Sequence, residues 1–582
     1  MHRWLLRVGL LLLTLTVPPI ALADGVTISC SSGQVLVIAG NGVIDTANCF
    51  TPTPTVTPPS TSTPTITPTA TMTTTATATY TPTSSPSPTV TPTSTVTLTP
   101  TVTLTPTATA TPIAQGSIWY VSRSGNNADG KTYTTAWNEL SSIGWSSVKP
   151  GDTILIDGGA VACTSPTTPV AASPYGFGPK PGQSGNACGM TYNTTLTYGT
   201  TGTLLAPITI RLSPDAGHNG SAIFFGGRTS DLPYCTQTSY TATYSGNNLA
   251  NVILTGAHSY ITLDGTKRGG VIVYGGQNGI SINSASASNL TFQNLEIFDN
   301  GAEGKGADPE GGNYATTGYG SDNPGVWVEG QSITFARDLI HDNGQDDLQS
   351  GNYTTPAISN LMITDSWLYF SRENPNYPGW GFNTGNNQPC HHPDGTQLFS
   401  GNPNVGVTIQ HSIVGPYLAQ GTYPADSGTP AETNNLTLND VTYLNTWYDS
   451  VNGDLRTTSG WTIENVTSYK WGAAPDGVCG AHLDSIRGTG HVLTNSIFQG
   501  CSNDIGLTGF GASSTGSLYW NTDPVPGGAN VNPQFQAVLP NGTPHWTDLN
   551  AVNLTATCAG CSGKGSSLPT IASILARIDG LN

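Results

Sequence analysis

From residue 289 one phrase keeps returning: NLTFQNLEIFDN (289–300), SITFARDLIHDN (332–343), NLMITDSWLYFS (360–371), GVTIQHSIVGPY (406–417), NLTLNDVTYLNT (435–446), GWTIENVTSYKW (460–471) and GHVLTNSIFQGC (490–501). Each copy alternates apolar and polar residues, turns on Asn, Asp or His, then alternates again. A period of two predicts a strand with one buried face. Copies begin roughly 25 to 45 residues apart, which is the spacing of a solenoid or array. Propeller blades would need four strands per period. The β-branched alternation and the 70 glycines exclude helical repeats. What fits is a coil of parallel strands, each turn stacked about 4.8 Å on the last, with loops of variable length at the corners.

The amino terminus predicts export. Arg3 and Arg7 precede the apolar run VGLLLLTLTV, and Ala21-Leu22-Ala23 offers a cleavage site, so residues 1–23 read as a signal peptide. That run is too short to span a bilayer, and no later segment is apolar enough, so no membrane insertion is expected. Residues 24–50 form a small segment with Cys30 and Cys49. Residues 51–115 are a Thr/Pro-rich linker, uncharged over 51–112, expected to be extended. The body begins at 116. Removing Arg3, Arg7, Asp24 and Asp45 leaves it 16 basic against 33 acidic residues. Such a surface argues against nucleic acid, which needs a basic footprint, and is compatible with bound Ca²⁺. Ten cysteines in an exported chain favour disulfides. Cys30–Cys49, Cys163–Cys188 and Cys479–Cys501 are the expected pairs by proximity, and Cys558-Ala-Gly-Cys561 reads as a structural bridge rather than a metal site.

These repeats, together with the opening IWYVSRSGNN…W…VKPGDTILIDGG (118–159), resemble the right-handed parallel β-helix of the pectate-lyase-like superfamily over about residues 116–520. NPQFQ (532–536) and SILARIDGLN (573–582) lie in a closing segment, 521–582. The expected fold class is therefore all-β, a right-handed parallel β-helix.

Four tetrapeptides follow repeats at comparable positions: DDLQ (346–349), DGTQ (394–397), GDLR (453–456) and DSIR (484–487). If the third residue of each points inward, the second and fourth face outward. Asp347, Gln349, Gln397, Asp454, Arg456 and Arg487 would then form one outer strip. Asp346, Asp394 and Asp484 would sit at the strand entrances beside His392 and His482. An extended glycan suits such a strip, with Gln349, Gln397, Asp454, His482 and Asp484 as binding residues. Tyr377 and Trp380, in a polar loop, are candidates to stack on sugar rings.

The resemblance implies a Ca²⁺-dependent polyuronate lyase, which removes the C5 proton and eliminates the glycosidic oxygen. Arg456 or Arg487 would be the base or the carboxylate clamp, His392 a further acid or base, and Asp346, Asp347 and Asp394 the metal ligands. A hydrolase would instead use paired carboxylates, Asp347 with Asp394. The polygalacturonase pattern is incomplete here, since GHG and RIK are missing. A third reading is a cell-surface β-helix that binds glycan without cleaving it, and under each reading the chain is expected to be a monomer. In all three the partner is an extended polysaccharide, acidic in the first.

Overall fold

The computed structural model describes residues 116–163, 187–229, 248–301, 324–344, 346–350, 358–369, 394–398, 404–416, 418–423, 433–446, 448–453, 457–471, 480–500, 507–538 and 551–581, with the backbone of four further short strands. The chain divides into two compact units, Met1–Pro106 and Thr107–Asn582. In the first, Val26–Ser29 pairs antiparallel with Val35–Ile38. The expected signal peptide, the Cys30–Cys49 and Cys479–Cys501 pairs, and the side chains of Tyr377, Trp380, His392, Asp454 and Arg456 lie outside the described residues.

The second unit is a parallel β-helix. Each coil carries three strands, and each strand pairs in parallel with its counterpart one coil on. Sheet A includes Ile208–Leu212, Ser259–Asp264, Ser359–Thr364 and Thr462–Glu464. Sheet B includes Ala222–Phe225, Val271–Tyr274, Leu295–Phe298, Leu339–His341, Trp367–Tyr369 and Thr467–Lys470. Sheet C includes Asn251–Leu254, Leu348–Ser350, Thr396–Leu398, Thr422–Tyr423, Val451–Asn452 and Leu483–Asp484. Some strands run through a corner, as Asn278–Gln293 and Val326–Ala336 pass from C into A. The parallel ladder extends to Gly528–Asn530, beyond the boundary at 520 that the sequence suggests.

The repeated phrase is the A strand, a turn and the B strand. Its polar centre is a single residue in the left-handed region: Asn294, Arg337, Asp365, His411, Asp440, Asn465 and Asn495, with φ between 48° and 59°. That conformation costs most residues about 1–2 kcal/mol, and Asn and Asp tolerate it best. This explains the residue types the phrase selects. Asn465→Val, which places a branched Cβ at φ 54°, is expected to lower stability by about 1–2 kcal/mol, measured by denaturant unfolding of the full chain.

One residue past that turn, side chains cap the backbone of the preceding coil. Asp338 accepts the Leu295 N–H (2.8 Å), Ser366 the Asp338 N–H (3.1 Å), and Ser412 the Ser366 N–H (3.2 Å). Bends would otherwise leave these buried donors unpaired. The interior is apolar, with Phe292 and Phe335 stacked at 5.1 Å. Sheet A's outer face carries a threonine row, Thr262, Thr291 and Thr334, continued after Met362 by Thr408, Thr437 and Thr462. Branched residues suit a half-exposed strand surface.

Cys163–Cys188 is bonded, as the sequence suggests, and so is Cys558–Cys561. The carboxy-terminal segment returns across the outside of earlier coils. Ser566 and Ser567 donate to Asp440, Leu568 O accepts from Thr442, and Arg577 meets Asp365 at 2.8 Å. The segment ends in the helix Ile571–Ile578, capped by Thr570. Among the described residues no helix is long and apolar enough to cross a membrane.

Candidate functional site

The three sheets differ in what surrounds them. The A–B turns are short throughout the repeats, whereas the chain inserts residues on both sides of sheet C. Residues 299–325, 370–395 and 471–482 lead from sheet B to the sheet C strands that start at Val326, Thr396 and Leu483, and 351–358, 399–403 and 424–432 follow the strands that end at Ser350, Leu398 and Tyr423. The connections into and out of C are thus the long ones of these coils. Function on a solenoid concentrates on such an edge-lined face.

One row along the outer face of C reads Trp327, Gln349, Gln397, Tyr423, Asn452 and Asp484, one residue per coil. Neighbours are about 4.8 Å apart, the spacing of paired strands. Gln349 Nε2 donates to Gln397 Oε1 at 2.8 Å, and Trp327 Nε1 donates to Glu329 at 3.0 Å. Gln349, Gln397 and Tyr423 are buried, while Trp327, Asn452 and Asp484 are partly exposed.

At the leading edge of these strands stands a second row, Asp346, Asp394, Gln420 and Asp449. Each carboxylate caps the next coil: Asp346 Oδ1 accepts the Asp394 N–H (3.2 Å), Asp394 Oδ1 the Gln420 N–H (2.9 Å), and Asp449 Oδ1 the Ala481 N–H (3.0 Å). Asp449 Oδ2 also accepts from Asn452 at 2.8 Å, which ties it to the outer row. Burial pushes Asp449 up to about 6. Lys470 pulls it back and Asp484 pushes it further up. Burial also raises Asp484, opposed by hydrogen bonds from Ser485 and by the Arg487 charge.

Several expected positions change. DDLQ and DGTQ are in register as the sequence suggests, because Leu348 pairs with Thr396. The next coil, however, is Gln420-Gly421-Thr422-Tyr423, which the tetrapeptide comparison passes over. The coils after it align on Val451 and Leu483, so GDLR and DSIR are out of phase with the other two. Asp484 therefore stands level with Gln397's row rather than with Asp394. Arg487 leaves the strip altogether: it pairs with Thr457 in a separate two-stranded ladder and is exposed.

His482 lies inside the coil rather than at its edge, fully buried, with Nδ1 2.6 Å from Ser468 Oγ and its ring beside Phe498. Burial and the charge of Lys470 push its pKa well down. Asp347 also turns inward. It ends a buried ladder in which Asn300 Nδ2 donates to Asn343 Oδ1 (3.2 Å) and Asn343 Nδ2 to Asp347 Oδ1 (3.0 Å). Burial raises the Asp347 carboxyl well above the usual range, opposed by the hydrogen bond from Asn343.

Asp346, Asp347 and Asp394 therefore do not fit the calcium site that the sequence suggests. Two spend an oxygen on backbone capping, and the third faces the interior. Among the described residues no group of three or more His, Cys, Asp or Glu could hold a metal ion.

A buried cluster that the sequence reading missed lies on the outer face of sheet B. Phe225, Tyr274, Phe298, His341 and Tyr369 stack coil upon coil, the last pair with ring centroids 4.5 Å apart. His341 Nδ1 is 2.7 Å from Asp342 and its Nε2 is 3.5 Å from Glu296. One coil earlier, Arg228 pairs with Asp299 at 3.4 Å. Burial disfavours the imidazolium, but the hydrogen bond it makes to Asp342 and the carboxylate of Glu296 beside it outweigh that and hold the His341 pKa above its ordinary value. The available signal was a histidine occupying the slot of Phe298 and Tyr369 in the repeat.

No family model matches the chain, and no curated protein does. Solved structures similar to it include pectate lyase Pel9A, at 16% identity over 78% of this chain and 91% of that one, TM-score 0.41. A rhamnogalacturonan lyase matches at 13% identity over 69% and 87%, TM-score 0.39. An alginate lyase from Paenibacillus sp. str. FPU-7 matches at 13% over 57% and 92%, TM-score 0.29. The chain's own ladders carry the fold assignment: the described strands from Ile118–Val121 to Gly528–Asn530 build a parallel β-helix.

Proposed function

We propose that this protein is an extracellular enzyme that cleaves an extended polysaccharide laid along the outer face of sheet C. The observation that carries the reading is the Trp327–Gln349–Gln397–Tyr423 row, continued by Asn452 and Asp484, on the sheet with insertions at both edges. The amides and the partly exposed Trp327 ring offer hydrogen bonds and stacking along the row, as a regular polymer requires.

The reaction that the described residues support best is glycosidic hydrolysis by two carboxylic acids. Asp449, raised to about 6, keeps its proton in mildly acidic solution and donates it to the leaving oxygen. Asp484, on the next coil and more exposed, is the partner carboxylate that activates water or attacks the anomeric carbon. The pairing follows the general rule that catalytic acids and bases are neighbours held at different protonation states. Elimination from a polyuronate is the second reading. It rests on the resemblance of the repeats to the pectate-lyase-like superfamily, with Arg456, four residues after Asn452 in the sequence, as the candidate base.

The deciding experiment treats pectate, alginate and glycosaminoglycans with the purified chain, with added Ca²⁺ or with chelator. Reducing ends and the ultraviolet absorbance of unsaturated ends are followed together. Reducing ends alone, insensitive to chelator, are expected. Growth of both signals, dependent on Ca²⁺, would move the assignment to the lyase, and silence in both would sink the enzymatic reading for these polymers. Trp327→Ala is expected to weaken substrate binding by about 0.5–1.5 kcal/mol through lost stacking, seen as a higher KM with kcat little changed.

A further inference from the structure

A cavity of about 390 Å³ on the outer face of sheet A, at its corner with sheet B, is lined by Arg211, Asp264, Lys267, Arg268, Asn294 and Arg337, with Thr266 and residues 578–580 closing it. Four of the 16 basic residues of a strongly acidic body thus converge on one hollow that holds two carboxylates, Asp264 and Asp579. We infer that this cavity binds the carboxylate or sulfate of an acidic sugar, at a site separate from the groove on sheet C.

The sheet brings these residues together. Arg211 and Asp264 are register partners on consecutive coils, and Asn294 and Arg337 hold successive left-handed corners. Asp264 Oδ1 is occupied by the Thr266 N–H and by Asn294 Nδ2, both at 2.6 Å. Asp579 is engaged by Arg268 Nε at 3.1 Å. Arg337 is steadied by Asn294 (2.9 Å) and Gln293 (3.0 Å), and Lys267 Nζ donates to Asn219 O at 2.7 Å. Two cationic nitrogens are left buried without a hydrogen-bond partner, Arg211 Nε and Arg268 Nη1. Buried donors of this kind are seldom left unmade. The helix end adds little negative charge, since the carbonyls of Leu575, Ala576 and Arg577 are taken by the N–H groups of Asp579, Leu581 and Gly580.

The lining also selects the class of ligand. Arginines recognise planar or tetrahedral oxyanions through paired N–H groups. None of the lining residues is aromatic, so a nucleotide base would find nothing to stack on. Asn294, Thr266 and the backbone at Gly580 suit hydroxyl groups.

The test titrates the full chain with glucuronate, with glucose 6-sulfate and with glucose at constant ionic strength, by calorimetry. Binding of either anionic sugar in the millimolar range, with none for glucose, supports the proposal, and the tighter of the two identifies the anion. Arg211→Gln and Arg337→Gln should each weaken that binding by about tenfold, as expected for one charge-assisted contact, at an unchanged unfolding temperature. Should Arg337→Gln fail to fold, Lys267→Gln replaces it, because its side chain holds only one carbonyl. Equal binding of glucose, no binding of either anion, or affinity indifferent to these substitutions would each overturn the inference.

Discussion

Asp449→Asn lowers kcat on the cleaved polysaccharide by about 10²–10⁴-fold, the range that a positioned general acid contributes. The amide retains an oxygen for the Ala481 N–H, so the capping bond at this coil survives and the unfolding midpoint should stay close to that of the parent. Activity of the parent should also fall as pH rises through about 6, because the donating form of Asp449 is lost there. In the variant this basic limb should be absent from whatever activity remains. A full basic limb in Asp449→Asn would assign the proton donor elsewhere, with Asp394 next to be examined. Asp484→Asn should be comparably damaging but should leave the basic limb in place.

The largest effect on stability is expected at His341. It is buried between Asp342 and Glu296, and His341→Ala strands two carboxylates away from water. Breaking a buried ion pair by deleting one partner costs about 3–5 kcal/mol. The pH dependence has a defined sign. The folded pKa of His341 lies above its ordinary value, so its contribution is complete below about 6.5, the unfolded value. It is then lost as pH rises through the folded pKa. Denaturant unfolding of parent and variant across that window should show the largest gap on the acidic side. A gap that widens toward alkaline pH would contradict the assigned charge. Tyr369→Phe removes only a hydroxyl from the same stack and should leave this pH profile unchanged.

The sequence made the coil legible because the A strand, the left-handed residue and the B strand follow one another with little variation in length. Asn294, Asn465 and Asn495 could be recognised as turn centres for the same reason, whereas Leu348 and Thr396 were matched by the likeness of DDLQ to DGTQ. Sheet C was harder. Its strands are only two residues long at Thr422–Tyr423, Val451–Asn452 and Leu483–Asp484, too short for a period of two to declare itself. Insertions on both sides remove the fixed distance that aligned the other sheets. DSIR imitated DGTQ in composition while lying three residues later in its coil, which is why Asp484 and His482 were misplaced relative to Asp394. Asp347 looked like half of a surface pair with Asp346, but both are buried, one capping the next coil's backbone and the other ending the asparagine ladder. The charged cluster at His341 escaped notice because its members are spread over three strands and meet only when the coils stack.

The carboxy-terminal return, with Ser566 and Ser567 on Asp440 and Arg577 on Asp365, changes how this array comes apart. An open stack of coils frays from its ends, since each terminal turn is held by one neighbour alone. Here the last residues staple coils more than 120 positions earlier in the chain, so loosening the final turn also means releasing contacts in the middle of the stack. Hydrogen exchange should accordingly show this end opening together with the central coils, and pulling on the terminus should yield a single high-force event rather than a series of small steps.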